Sequence, residues 1–406
     1  MRKIIIFCPF RERFEPIGGS PIRIKGYVLG FMKENIDFFF MSKKKPEYIN
    51  DNIFLPFNLK NYYNKLFLIH NILFHFWYAK PIVFILKIFL LLNPKIKNLT
   101  RLLPDKLIIT HQENSICYFL FLYYKIDFVY DIHGILTIQQ EYTNTMNSYA
   151  RFWFQIRLKH ESFLFNDILY ANCINESMRA YITNKLSFKG NTFFAPDGFL
   201  DIKKIFDNTY PKINDLRNKY FRPGRKVILF FGEFKFFGGV HLLVETFSKM
   251  VKHDKSIFLI LIGTGQMEKT VRINLLKNQL EKYYVHIPKV HYNLLKDYME
   301  LSDAIVIPDI DNVYNKMIPH IKLFDCLASG KPFVLPNFQI NIEILKRLPN
   351  NAILFNPDSI DDMANKIKIA FTKEKKIYTD SDRKKFMDFS YEKFAKNLIA
   401  QLELVF

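Results

Sequence analysis

Glycine and cysteine are both scarce, at 14 and 4 of 406 residues. Cys8, Cys117, Cys173 and Cys326 lie far apart with no CxxC pair. That spacing indicates neither a disulfide framework nor a cysteine-based zinc site, and Cys8 and Cys326 read as buried reduced thiols, which points to the cytoplasm. No Gly-x-Gly-x-x-Gly follows the first apolar run and no Gly-x4-Gly-Lys-Ser/Thr occurs, so the fingerprints of nicotinamide and P-loop enzymes are missing. The N-terminal apolar run, Ile4 to Phe7, stops at Pro9 with Arg11 and Arg13 behind it. It is too short for a secretory signal and fits a first strand. There is no internal repeat and no low-complexity tail. Acidic residues are outnumbered, 39 against 58 Lys and Arg, for a formal net charge of +19. The basic residues are dispersed, Lys43 to Lys45 being the one run of three lysines, and no zinc-finger spacing appears. Nucleic acid is therefore disfavoured, and phosphorylated substrates or anionic lipid suit the charge better.

What is present is a globular composition, 49% apolar and 24% charged. Short apolar runs alternate with helical patterns. In the first half these runs are 3–7, 36–41, 106–110, 128–132, 168–171 and 192–195. In the second they are 227–231, 257–262, 284–287, 304–307, 333–335 and 352–355. Near-continuous apolar strands separated by helices predict parallel sheets covered on both faces. Between the two sets, 201–225 is polar and holds Pro211 and Pro223-Gly224, the signature of a linker. The expected class is α/β, with two doubly wound domains facing a cleft: 1–205, 206–385, and a terminal helix over 386–406 crossing back to the first domain.

The stretch 66–92 is very apolar, but Lys80-Pro81 and Lys87 cut it into pieces shorter than the ~20 residues of a spanning helix. Two readings stand for the helices expected near 65–93. Either they are half core and half membrane-facing, with Trp77 and Tyr78 at the interface, or they form an internal pair.

The richest motif is 319–332, Pro-His-Ile-Lys-Leu-Phe-Asp-Cys-Leu-Ala-Ser-Gly-Lys-Pro. Pro at its start and Gly near its end predict a helix. Lys322 and Asp325, three apart, share a face. A cation beside a carboxylate suits a ligand with phosphate at one end and a ribose diol at the other, and equally an ordinary surface ion pair. Glycines recur where strands end: Gly18-Gly19, Gly232, Gly238-Gly239 and Gly263-Thr264-Gly265. Such loops let backbone N–H groups approach phosphate. His133 closes the 128–132 strand beside Asp131 and Gly134, either as a site residue or as a structural histidine. Asp309-Ile310-Asp311 matches a metal-binding DxD string but follows a late strand, so it reads as a loop and no metal site is expected.

Taken together, these segments resemble a GT-B glycosyltransferase, most similar to the retaining nucleotide-sugar enzymes of glycosyltransferase family 4. The resemblance rests on 227–247 (VILFFGEFKFFGGVHLLVETF), 259–266 (LILIGTGQ), 295–308 (LKDYMELSDAIVIP) and 322–332. In the first half it rests on 129–134 (VYDIHG) and Ala195-Pro196-Asp197-Gly198, and at the end on 389–406. It implies that Asp325 holds the ribose hydroxyls and that Lys322 lies near the donor phosphates or sugar. Gly18 and Gly19 would approach the diphosphate, and His133 would lie beside the transferred sugar. The loop at Gly263 and Gly265, with 287–290, would surround the base. There are departures from the pattern. Asp325 replaces a Glu, Met317 replaces the family's first Glu, and Glu233 and Gly238 replace an Arg and a Lys, leaving Lys235 as the nearest cation.

The implied function is metal-independent, cofactor-free transfer of a sugar from a UDP- or GDP-linked donor. The acceptor would be a lipid-linked or polysaccharide chain in cell-surface glycan synthesis, at the inner face of the cell membrane with a peripheral contact to anionic lipid. The alternative is a degenerate GT-B protein that binds a nucleotide or a partner without turnover.

Overall fold

The computed structural model describes residues 3–8, 19–42, 44–56, 66, 69–70, 72–73, 76–94, 96–97, 106–111, 128–132, 134–135, 138, 148–200, 209–220 and 222–405. The first sheet is built from β1 (Lys3–Cys8), β2 (Phe38–Ser42), β3 (Phe54–Pro56), β4 (Lys106–His111), β5 (Phe128–Ile132), β6 (Tyr170–Cys173) and β7 (Asn191–Phe194). All its pairings are parallel, in the order β3-β2-β1-β4-β5-β6-β7. Helices α1 (Gly19–Lys33), α2 (Lys80–Leu91), α3 (Ser148–Asp167) and α4 (Glu176–Lys185) belong to this half.

The second half begins with α5 (Ile213–Tyr220). Its six parallel strands are β8 (Lys226–Phe231), β9 (Ile257–Ile262), β10 (Tyr284–Ile287), β11 (Ala304–Val306), β12 (Phe333–Pro336) and β13 (Ala352–Phe355), in the order β10-β9-β8-β11-β12-β13. Its helices are α6 (Val240–His253), α7 (Glu268–Lys277), α8 (Tyr292–Leu301), α9 (Val313–Met317), α10 (Lys322–Ser329), α11 (Gln339–Arg347), α12 (Ile360–Ala370) and α13 (Asp380–Met387). A last helix, α14 (Tyr391–Glu403), follows. Every residue of β5 and β9 is buried, as continuous apolar strands require when helices cover both faces.

In both sheets the strand order reverses beside the first strand, between β1 and β4 and between β8 and β11. Such a switch point opens a crevice beyond the carboxyl ends of the strands, where open α/β sheets bind ligands. In the second sheet it sets the loop after Phe231 beside the loop after Val306.

The chain returns to the first half through α14, which lies along α1 and reaches β7. The approach of the two helices depends on missing side chains: a Cβ at Gly26 would stand 2.3 Å from the Tyr391 ring, and one at Gly30 2.6 Å from the Ala395 Cβ. Gln401 fastens the other end by accepting from the Phe194 N–H and donating to its carbonyl. The outgoing and returning segments run side by side at Phe199 and Ser390. Beneath them lies a buried polar knot. The Arg23 guanidinium donates to both Asp131 carboxylate oxygens, to Asp197 Oδ1 at 2.9 Å and to the Ala195 carbonyl. Asn172 donates to Asp131, and the Tyr391 hydroxyl to Asp197.

All twelve expected strands form. The run at 168–171 shifts to Tyr170–Cys173, because Ile168 still packs into the core at the end of α3. β3 was not expected: it is three residues long, half-buried and ends in proline. The polar 201–225 stretch is not all linker. It contains α5, which buries Leu216 and Tyr220, while the Lys212 N–H ahead of it donates to buried Asp297.

Candidate active site

Gly232 ends β8 with φ +130 and nothing within 4 Å of where a Cβ would stand. The loop it opens is zipped to the one after β9: Phe234 N–H donates to the Thr264 carbonyl, and Met267 N–H to the Phe234 carbonyl. A Cβ on Gly263 would fall 1.9 Å from the Gly232 carbonyl oxygen, and one on Gly265 2.7 Å from that of Phe234. The expected phosphate-loop glycines at 263 and 265 are thus demanded by contact between these two loops, whereas Gly232 borders open space. His286 lies at 2.7 Å from the Gly263 carbonyl through Nε2, and the Gly263 N–H donates to the Ile287 carbonyl, so 284–287 is joined to the same loop. Lys235 pairs with Glu233 at 2.9 Å and covers the Phe237 ring. Gly239 then caps α6 with no side-chain partner for the helix N–H groups.

Across the switch point, Lys322 begins α10. Its Nζ lies 3.1 Å from Asp309 Oδ1 and above the Phe230 ring, with side-chain exposures of 13% and 5% for the pair. The cation is therefore neither an exposed surface charge nor the partner of Asp325. The helix opens at Lys322, not at Pro319, and the His320 side chain ahead of it is held by two partners. Its Nε2 lies 3.0 Å from Asn315 Oδ1 and its Nδ1 3.5 Å from Asp309 Oδ2. The Asn315 amide nitrogen already donates to the Phe237 and Ile310 carbonyls, so its oxygen faces the ring and His320 carries its proton on Nε2. Burial pushes the imidazole down to about 4; Asp309 opposes this, and Lys322 and Lys235 reinforce it. The Asp309-Ile310-Asp311 string is divided between two cations, Asp309 facing Lys322 and Asp311 facing Lys316.

Asp325 lies one turn further along α10 and is half-buried. The Tyr292 hydroxyl, at the start of α8, donates to its Oδ1 at 2.5 Å. Burial pushes the carboxyl up to about 7, against the pull of that hydrogen bond. Met317, eight residues before Asp325, is buried at 5% exposure, and its carbonyl accepts from Asn175 Nδ2 of the first half at 2.8 Å. With Phe237, Ile310, Tyr314 and Ile318 it joins an apolar cluster that includes Ile135, Ile174 and Met178. The two halves are thus in contact at this edge of the cleft.

Of the expected first-half residues, Gly19 is the first residue of α1, while Gly18 and His133 lie outside the described residues. Asp131 is committed to Arg23 and Asn172. Lys322, Lys235, Gly263, Gly265 and Asp325 all come from the carboxyl edge of the second sheet. Tyr292, Asp309, His320 and Asn315 were not singled out as site residues, because their partners are distant in sequence and no short motif joins them.

The comparisons follow the same division. Residues 212–386 match the family model described as glycosyl transferases group 1. An uncharacterized glycosyltransferase of Methanocaldococcus jannaschii is 22% identical over 190 residues, 46% of this chain and 47% of that protein. The chain spans about half the length of the curated relatives it matches. Among solved structures, sucrose-phosphate synthase of Thermosynechococcus elongatus superposes with a TM-score of 0.67 at 14% identity, over 99% of this chain and 98% of that one. The Anabaena protein HepE, in complex with UDP and glucose, gives 0.63 at 13% identity with all of both chains covered. At such identities the likeness is one of fold, and that fold is GT-B.

Proposed function

We propose that this chain, a GT-B protein whose residues 212–386 match the glycosyl transferases group 1 model, is a retaining glycosyltransferase of family 4 type. The donor would be a UDP- or GDP-sugar, and the acceptor a lipid-linked or polysaccharide chain of the cell surface. One observation supports the reading: open Gly232, the N-terminus of α6 and Lys322 lie at the switch point of the second sheet, and the half-buried carboxyl of Asp325 follows Lys322 by one turn on α10. Asp325 would accept the ribose hydroxyls. Lys322, Lys235 and the α6 N–H groups would offset the charge of the departing diphosphate. The acceptor oxygen bonds to the anomeric carbon on the face from which the diphosphate leaves, and its proton passes to a donor phosphate oxygen. Gly18 and Gly19 would approach the diphosphate from the acceptor side, and His133 would lie beside the transferred sugar. No metal or cofactor takes part in this scheme, and an EDTA control tests that: lost turnover contradicts it.

The surface of α2 supports an acceptor at the membrane. Its surface exposes Ile82, Phe84, Ile85, Ile88 and Phe89, with Tyr78 and Leu92 beyond its ends, while Val83 and Leu90 face the core. From Asn52 to Pro104 the sequence has no acidic residue and seven basic ones. Among the described residues no helix is long and apolar enough to cross a membrane. A short apolar face within an acid-free basic stretch suits the surface of an anionic bilayer, in the manner of an interfacial helix. We assign the protein accordingly to the cytoplasmic face of the membrane.

Two observations favour the reading without turnover: Lys235 is already neutralised by Glu233, and Met317 is spent on the contact between the halves. Release of nucleoside diphosphate from a panel of UDP- and GDP-sugars decides between the two. Donor-dependent release, raised by acceptor, supports the transferase; tight nucleotide binding with no release supports the alternative.

A further inference from the structure

Asp325 differs from the other carboxylates of the cleft edge in having an uncharged partner. Asp309 faces Lys322 and His320, Asp311 faces Lys316, and Glu233 faces Lys235. Among the described residues no cation pairs with Asp325, and Lys322, one turn earlier on the same helix, is turned away from it. What reaches Asp325 is the Tyr292 phenol, 33 residues back in sequence and carried in by the packing of α8 on α10. An ionised carboxylate offers about four acceptor positions, and the phenol takes one. Full neutralisation by a cation would weaken the carboxylate as an acceptor. No partner at all would leave it free to turn and ready to take a proton.

We propose that Tyr292 is a positioning residue for nucleotide recognition, fixing the Asp325 carboxylate so that its remaining acceptor positions face the vicinal diol of a ribose. The proposal rests on the reading of Asp325 as the diol acceptor given above. Among the described residues, the charged and titratable groups around Asp325 are few. They are the Tyr292 phenol from α8, Lys322 and the Cys326 thiol on its own helix, and Asp309 behind Lys322. Tyr378 adds a phenol that donates to the Leu327 carbonyl from the chain ahead of α13. Of these, Tyr292 supplies the hydrogen bond that keeps the carboxyl from rising further. Its loss would both free the carboxylate to rotate and let it protonate at higher pH.

The experiment is calorimetric titration of the full chain with UDP and with GDP, at pH 6.5 and pH 8.5, on the wild type, Tyr292→Phe and Asp325→Asn. The 2′-deoxy analogue of the diphosphate that binds serves as the probe lacking the diol. Tyr292→Phe is expected to weaken binding about tenfold at pH 6.5 and much less at pH 8.5, where the carboxylate is ionised in any case. It should also narrow the preference for the ribose over the 2′-deoxy form. Equal loss at both pH values with the ribose preference intact, or no loss at either, overturns the assignment. If Asp325→Asn binds as the wild type does, or neither diphosphate binds the wild type, the underlying reading of Asp325 falls first. If Asp325→Asn loses binding and Tyr292→Phe does not, only Tyr292 is removed.

Discussion

His320 and Asp325 lie five residues apart and respond to pH in opposite senses. The half-buried imidazole is held down to about 4, below its ordinary 6.5, by desolvation. Between those values the unfolded chain takes up a proton that the folded chain refuses, so stability falls as pH drops from about 6.5 towards 4. His320→Gln removes that dependence while costing about 1 kcal/mol at pH 8 through its altered hydrogen bond to Asn315. Urea unfolding should show the gap between variant and wild type closing by pH 5, and a constant gap would refute the neutral imidazole. Asp325 is raised to about 7 from 3.8. Here the folded chain holds a proton that the unfolded chain has lost, so stability falls as pH rises from about 4 to 7, and the cost is complete above that window. Asp325→Asn is therefore expected to unfold later than wild type at pH 8, by on the order of 1–2 kcal/mol, although it binds nucleotide more weakly. A variant less stable at pH 8 would mean that the carboxylate is better solvated than its surroundings suggest. Lys322 and Asp325 were legible as a pair from their spacing. Their true partners, Asp309 and Tyr292, were not, because those contacts depend on which loops meet at the switch point.

Among the elements, α2 is the one whose composition and placement disagree most with water. Its twelve residues are almost all apolar, yet Val83 and Leu90 are buried while Phe84 and Ile85 are 63% and 64% exposed. Such a face is expected to lie against something, and the acid-free sequence around it favours anionic lipid over a neutral surface. Phe84→Ser with Ile85→Ser removes apolar area from the exposed side alone. The doubly substituted protein should keep its thermal midpoint within about 2 °C and lose most of its flotation with phosphatidylglycerol vesicles. Wild-type protein that floats equally with pure phosphatidylcholine, or that self-associates through this face in light scattering, would point to another occupant. The apolar character of 66–92 was plain in the sequence. Which side of the helix would be covered was not, since Ile, Phe and Leu surround nearly the whole of it.

At the scale of the whole molecule, the α1–α14 packing, the Asn175–Met317 contact and the Arg23 knot beneath the crossing segments are among the described contacts that join the two halves. One guanidinium, 1% exposed, binds α1 to β5 and to the end of the first half, and Asp197 in turn accepts from the first residue of α14. A buried cation shared by two carboxylates adds little over an apolar core, but removing it alone takes the shared cation from two buried carboxylates. Arg23→Leu is therefore expected to destabilise the protein by about 3–5 kcal/mol and to expose the crossing segments to limited proteolysis. A loss below about 1 kcal/mol, measured by urea unfolding, would show that the carboxylates find other partners.

Twelve strands, the division into two α/β halves and the helix carrying Lys322 and Asp325 followed from the sequence by itself, because apolar runs and turn residues act over a few neighbouring positions. Only the tertiary structure decided that Asp131 serves Arg23 from 108 residues away, that Met317 closes a contact between halves, and that the glycines at 263 and 265 answer to another loop. These outcomes depend on distances between segments remote in the chain, and hydrophobic periodicity has no term for them.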